Sequence, residues 1–188
     1  MSVDYQLRLA TLADEPALRD LIARSIRELG VEDYTPEQIE AALLGAFGVD
    51  TALIRDQTYF VIETGSGEIV GCGGWSRRKT LFGGDTRESR DDSWLDPAVD
   101  AARIRAFFID SHHARRGLGG MLLDRCEAEA SHAGFTEFAL MATLPGKRLY
   151  EVCGYVAGSS IEHPLPGGLS ITFVPMTKRL KPSDTVPK

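Results

Sequence analysis

A strand, a glycine-rich turn, a helix and a second strand follow one another between Ala102 and Thr143, and this unit limits the fold more than any other stretch of the chain. "ARIRAFFID" reads as the first strand and "FTEFALMAT" as the second. Between them Leu118, Met121, Leu122, Cys126, Ala130 and Ala133 recur on one helical face, which Gly134 ends. Two strands joined by a helix favour a parallel pair with a right-handed crossover. Glycine is a poor helix former, yet Gly117, Gly119 and Gly120 stand at the helix start. The first turn of a helix carries unpaired N–H groups and a partial positive charge. Glycines keep side chains away from those groups, Arg115 and Arg116 add two charges, and no acid lies between Ser111 and Met121. Arg115, Arg116, Gly117, Leu118, Gly119, Gly120 and Met121 therefore have the chemistry of a phosphate or pyrophosphate site. The alternative is that the glycines serve close packing of helix on sheet. Neither the GxxxxGK[ST] loop nor a Rossmann fingerprint on the first strand is present.

The remaining chain reads as one domain over residues 1–178 with a tail over 179–188. "YQLRLA" alternates as a strand, and Leu18, Leu21, Ile22, Ile26 and Leu29 have helical spacing. Thr35, Pro36 and Gln38 predict a capping box at the start of a second helix. "TYFVIET", the turn "GSGE" and "IVGCGGW" predict a hairpin, with the glycines marking a bulge or a close approach of substrate. Ser76 to Asp100 reads as a long polar loop, "GKRLYEV" as a short helix, and the segments near "YVAGSSI" and "SITFVPM" as closing strands.

Composition narrows the partners. A formal net charge of -6 argues against nucleic acid or an acidic membrane as a whole-chain partner. Three widely spaced cysteines, Cys72, Cys126 and Cys153, form no metal knuckle or disulfide framework. No secretory leader and no apolar run near the ~20 residues of a membrane span are visible. The expectation is a cytoplasmic protein with no metal, and a homodimer is an open option.

Two signatures resemble the GNAT superfamily of acyl-CoA-dependent N-acetyltransferases. In "ARRGLGG", Gly117 and Gly119 fill the glycine positions of that family's pyrophosphate loop, while Ala114 stands where it has Gln or Arg. "LYEVCGY", Leu149 to Tyr155, resembles its second signature, and the order of elements agrees over roughly residues 5 to 178. Thr143 stands where many members carry Asn. The resemblance implies an α/β (α+β) fold with a mixed central sheet of about six or seven strands and about four helices. It implies acetyl-CoA as co-substrate and a small-molecule or peptide amine as acceptor. The backbone of Phe107, Phe108 and Ile109 would pair with the pantetheine arm, and Tyr150 would protonate the departing thiolate. The alternative is a non-catalytic acyl-CoA-binding or sensor domain of the same fold.

No general base is assigned. The strand carries Arg103 and Arg105 rather than a Glu, and Asp110, His112 and His113 at its end belong to the cofactor loop. Asp91, Asp92 and Asp96 in the long loop are further acids of unassigned role. Arg103 and Arg105 share one strand face. With Trp75 and Arg77 they predict a basic wall for a carboxylate-bearing acceptor, or else pairing with the acids between Asp85 and Asp100.

Overall fold

Eight strands form one sheet in the computed structural model, which describes residues 4–86 and 91–180. The strands are β1 (Tyr5–Leu9), β2 (Tyr59–Thr64), β3 (Ile69–Ser76), β4 (Ala102–Ile109), β5 (Glu137–Thr143), β6 (Val156–Ala157), β7 (Ile161–Pro164) and β8 (Ser170–Arg179). Their spatial order is β1-β2-β3-β4-β5-β8-β6, with β7 also on β8. Every pairing is antiparallel except β4–β5, as the crossover rule requires of strands joined by a helix. The sheet exceeds the expected six or seven strands because the stretch read as one strand near "YVAGSSI" is two short ones, β6 and β7. β8 takes in Arg179, the first residue of the expected tail; residues 181–188 lie outside the described residues.

Five helices cover the sheet: α1 (Glu15–Leu29), α2 (Pro36–Ala42), α3 (Thr51–Arg55), α4 (Leu118–His132) and α5 (Lys147–Val152). Leu18, Leu21, Ile22 and Ile26 of α1 are buried, so the apolar stripe read from the sequence is its core face up to Ile26, while Leu29 in the last turn is exposed. Each such side chain contributes about 1.5–3 kcal/mol on full burial. Thr35 caps α2 as expected: the Gln38 N–H donates to Thr35 Oγ1 at 3.2 Å, and Thr35 N–H donates to Gln38 Oε1 at 2.9 Å. The additional helix is α3, five residues long and too short to show a period; Asp50 caps it by accepting from Ala52 N–H at 3.1 Å.

The sheet separates two cores. Leu18, Ile22, Phe47, Tyr59, Phe108 and Phe173 pack on the α1–α3 side. Trp75, Ile104, Leu122, Cys126, Phe138 and Tyr150 pack on the α4 side. Between them β4 carries a bulge. Gly74 opposes Arg105 and Cys72 opposes Phe108, so Gly73 faces two residues, Ala106 and Phe107. Ala106 sits at φ 56, and its carbonyl accepts from the Tyr59 hydroxyl at 3.0 Å. A Cβ on Gly73 would stand 2.7 Å from the Phe107 ring, so this glycine yields to the protein's own side chain. Among the described residues no helix is long and apolar enough to cross a membrane.

Candidate active site

β4 and β5 pair only at Ala102–Phe138 and Arg103–Ala139. Beyond Arg103 the strands part, and a cleft of about 850 Å³ runs through the gap from one face of the sheet to the other. Ile104 to Ile109 line one side; Met141, Thr143 and Pro145 line the other. The Asp110 N–H donates across to Val70 of β3, so Ile109, one residue back, turns its backbone polar groups the other way, toward the cleft. Phe107 and Phe108 line it as well.

The α4 N-terminus stands at the head of the gap. Met121 N–H makes the first helical bond, to the Gly117 carbonyl at 3.0 Å. Leu118, Gly119 and Gly120 therefore keep N–H groups without a helical acceptor. The three glycines have three different reasons. Gly117 is the N-cap at φ 82, where an L side chain is strained. A Cβ on Gly119 would meet Leu149 of α5 at 2.7 Å, so that position serves close packing. A Cβ on Gly120 would meet nothing within 4 Å, and Gly120 lines the cleft. Gly120 is thus the glycine whose missing side chain leaves the cleft open, while close packing, against α5 rather than the sheet, explains Gly119.

Arg115 lines the cleft, joined by Arg148 of α5, a cation the sequence reading did not single out. Arg116 and Met121 do not line it; the Arg116 guanidinium donates to the His112 carbonyl at 3.2 Å, and Met121 is on the outer side of the helix turn, exposed. His113 lines the cleft with Nδ1 held by the Tyr5 hydroxyl at 2.9 Å. Burial alone would raise the Asp110 pKa, but hydrogen bonds from His112 N–H and Arg24 outweigh it and hold the carboxyl below its ordinary value. Asp110 is therefore a fixed anion that braces the turn.

Tyr150 lies on α5 with its ring edge-on to Phe107 at 6.2 Å and to Tyr155 at 5.7 Å. It is 8% exposed and lines the cleft. Tyr34 and Tyr59 spend their hydroxyls on the Thr172 and Ala106 carbonyls, whereas the Tyr150 hydroxyl bonds to no described residue. Burial pushes its pKa well above the ordinary tyrosine value, so the hydroxyl keeps its proton at neutral pH. Thr143 Oγ1 accepts from Gly146 N–H at 3.2 Å and fixes the turn into α5.

The residues expected to form a basic wall separate. Trp75 is 2% exposed on the α4 side, packed edge-on against Phe135. Arg77 stacks over Trp75 and Trp94. Arg103 lies below the point where the strands part and does not line the cleft; desolvation lowers its pKa, with Asp100 acting against that shift. Arg105 lines the cleft, but its Nη1 is 2.6 Å from Asp50 and its Nη2 donates to the Gly83 carbonyl at 2.6 Å. The anion seen against it, Asp50, stands outside the Asp85–Asp100 stretch. It is the α3 cap, and an Asp directly before a short apolar helical run was the sequence signal for it.

A sheet opened at its one parallel junction, with a bare helix end at the head of the opening, defines a known structural class. The model of the Acetyltransferase (GNAT) family matches residues 18–155, and the chain belongs to that family. It superposes on a GCN5-related N-acetyltransferase from Rhodopseudomonas palustris with TM-score 0.70 at 20% identity, over 96% of this chain and 99% of that one. The PaiA N-acetyltransferase of Thermoplasma acidophilum, solved with coenzyme A, gives TM-score 0.63 at 11% identity over 94% and 99%. The ribosomal-protein-S18-alanine N-acetyltransferase of Escherichia coli gives 0.59 at 14% over 98% and 100%. These likenesses establish the fold. No curated protein matches the sequence significantly.

Proposed function

We propose that the protein transfers an acetyl group from acetyl-CoA directly to a primary amine. The observation that carries this reading is the parting of β4 from β5 beyond Arg103, with the α4 N-terminus at its head. The residues present fit the co-substrate. Unpaired N–H groups at Leu118, Gly119 and Gly120, with Arg115 and Arg148, offer an anion site for the pyrophosphate. The edge of β4 at Ile109 offers backbone groups to the amide-bearing pantetheine arm. A member of the same fold was solved with coenzyme A.

The chemistry needs little from side chains. The amine lone pair attacks the acetyl carbon, the C–N bond forms, and the C–S bond breaks. Tyr150 is placed to give its proton to the departing thiolate, and the proton shed by the amine passes to solvent. Thiols have pKa values near 8.5, so this help is modest. Backbone N–H groups of β4 supply the polarisation of the carbonyl.

Thiol release from acetyl-CoA, measured across a panel of amines, tests the reading. Release that depends on the amine and yields the N-acetylated product is expected. Saturable binding of acetyl-CoA without release to any amine would instead establish an acyl-CoA-binding domain without catalysis.

A further inference from the structure

The cleft has a second half, on the α1–α3 face, whose chemistry differs from that of the α4 end. Phe47, Phe82, Phe108, Met141 and Phe173 wall it. Phe47 meets Phe108 and Phe173 edge-on at 6.1 and 6.0 Å, and Phe82 lies 5.1 Å from Phe173. The segment carrying Phe82 is pinned. Arg105 holds the Gly83 carbonyl, Asp85 N–H donates to the Val49 carbonyl at 2.9 Å, and Thr51 N–H donates to the Asp85 carboxylate at 3.1 Å. A Cβ on Gly84 would stand 2.9 Å from the Gly48 backbone. This wall is preorganised, so a ligand must match it rather than displace it. Along the mouth Glu32 and Asp33 stand exposed, while Glu28 accepts from the Ser111 hydroxyl beside the turn into α4. Among the described residues lining this half, the cation is Arg105, which already holds Asp50 and Gly83.

We infer that the acceptor is a small primary amine on an aromatic or branched aliphatic body, without a carboxylate; this rests on the acetyl-transfer reading of the same cleft. The acids at the mouth attract an ammonium group and repel a carboxylate. The walls gain from an apolar body that displaces water. A polyamine's methylene chain gives the aromatic wall less contact than a ring does, and its second ammonium gains only exposed, salt-screened acids at the mouth. This preference is the reverse of the one for acidic amines expected from Arg103 and Arg105.

Steady-state thiol release with four amines tests it: phenethylamine, isoamylamine, L-phenylalanine and spermidine. Phenethylamine and L-phenylalanine differ only by a carboxylate. Phenethylamine is expected to exceed L-phenylalanine and spermidine in kcat/KM by about tenfold or more. Phe82→Ala, on a partly exposed loop, is expected to raise the phenethylamine KM about tenfold and to leave that for acetyl-CoA unchanged. A preference for L-phenylalanine or spermidine, or an unchanged amine KM in Phe82→Ala, overturns the inference and leaves acetyl transfer standing. Failure of every amine with a protein that binds acetyl-CoA overturns both.

Discussion

Arg105 Nη1 lies 2.6 Å from the Asp50 carboxylate, and the two side chains are 2% and 0% exposed. The pair ties β4, where the sheet opens, to the cap of α3. Removing one partner takes a counter-charge 2.6 Å away from a buried charge, at a cost of up to about 3–5 kcal/mol. Arg105→Gln is therefore expected to lower stability by that amount in urea unfolding. Asp50→Asn combined with Arg105→Gln is expected to recover part of the loss. Unchanged stability in the single variant would mean that the pair does not hold the fold.

Gly120→Ala separates stability from binding. The position is in the first turn of α4 with open space around it, so alanine is expected to stabilise the free protein by up to about 1 kcal/mol. The same methyl group intrudes where the pyrophosphate would sit, so CoA affinity is expected to fall. Calorimetry of the free protein and titration with CoA check the two halves. Gly119 is the poorer probe, because its missing side chain also makes room for Leu149.

Tyr150→Phe keeps the ring contacts with Phe107 and Tyr155 and deletes the hydroxyl that no described residue holds. A fall in kcat of about 10- to 100-fold is expected, with CoA affinity little changed. Because burial raises the tyrosine pKa, the wild type is expected to lose no activity through Tyr150 ionisation between about pH 6 and 9. Equal single-turnover rates for the two proteins would make Tyr150 a packing residue.

Much of this site is readable from local sequence. The helix after Gly117, the parallel crossover, the capping box at Thr35 and the placement of Tyr150 at the cleft all follow from periodicity, turn residues or the two signatures. What escaped depends on partners far apart in the chain. Asp50 and Arg105 meet from distant segments, and nothing in either segment names the other. The bulge sits on Ala106, a residue that gives no sign of positive φ, although the glycines opposite it in β3 did mark the place. The basic wall expected from Trp75, Arg77, Arg103 and Arg105 depends on all four facing one way. Strand alternation instead sends Trp75 into the α4 core and Arg105 to the other face.

The Asp14–Arg8 pair sets a limit on acid stability. The hydrogen bond from Arg8, opposed by burial and helped by Thr11, lowers the Asp14 pKa from 3.8 to about 2. Its folded pKa lies below the unfolded one, so its contribution is complete above the ordinary carboxylate range and is lost as pH falls toward about 2. At most about 2 kcal/mol is at stake. Asp14→Asn is expected to flatten the decline of unfolding free energy between about pH 5 and 2. A decline as steep as in the wild type would assign it to other groups.

Titration of CoA into the wild type and into Gly120→Asp tests most directly whether the opening between β4 and β5 is an acyl-CoA site. The aspartate sets a negative charge in the first turn of α4, where the pyrophosphate would sit, and its side chain has open space. Saturable one-to-one binding to the wild type and its loss in the variant, with the melting temperature of the free protein little altered, is the expected result. Equal binding by both proteins, or no binding to a folded wild type at millimolar CoA, would contradict it.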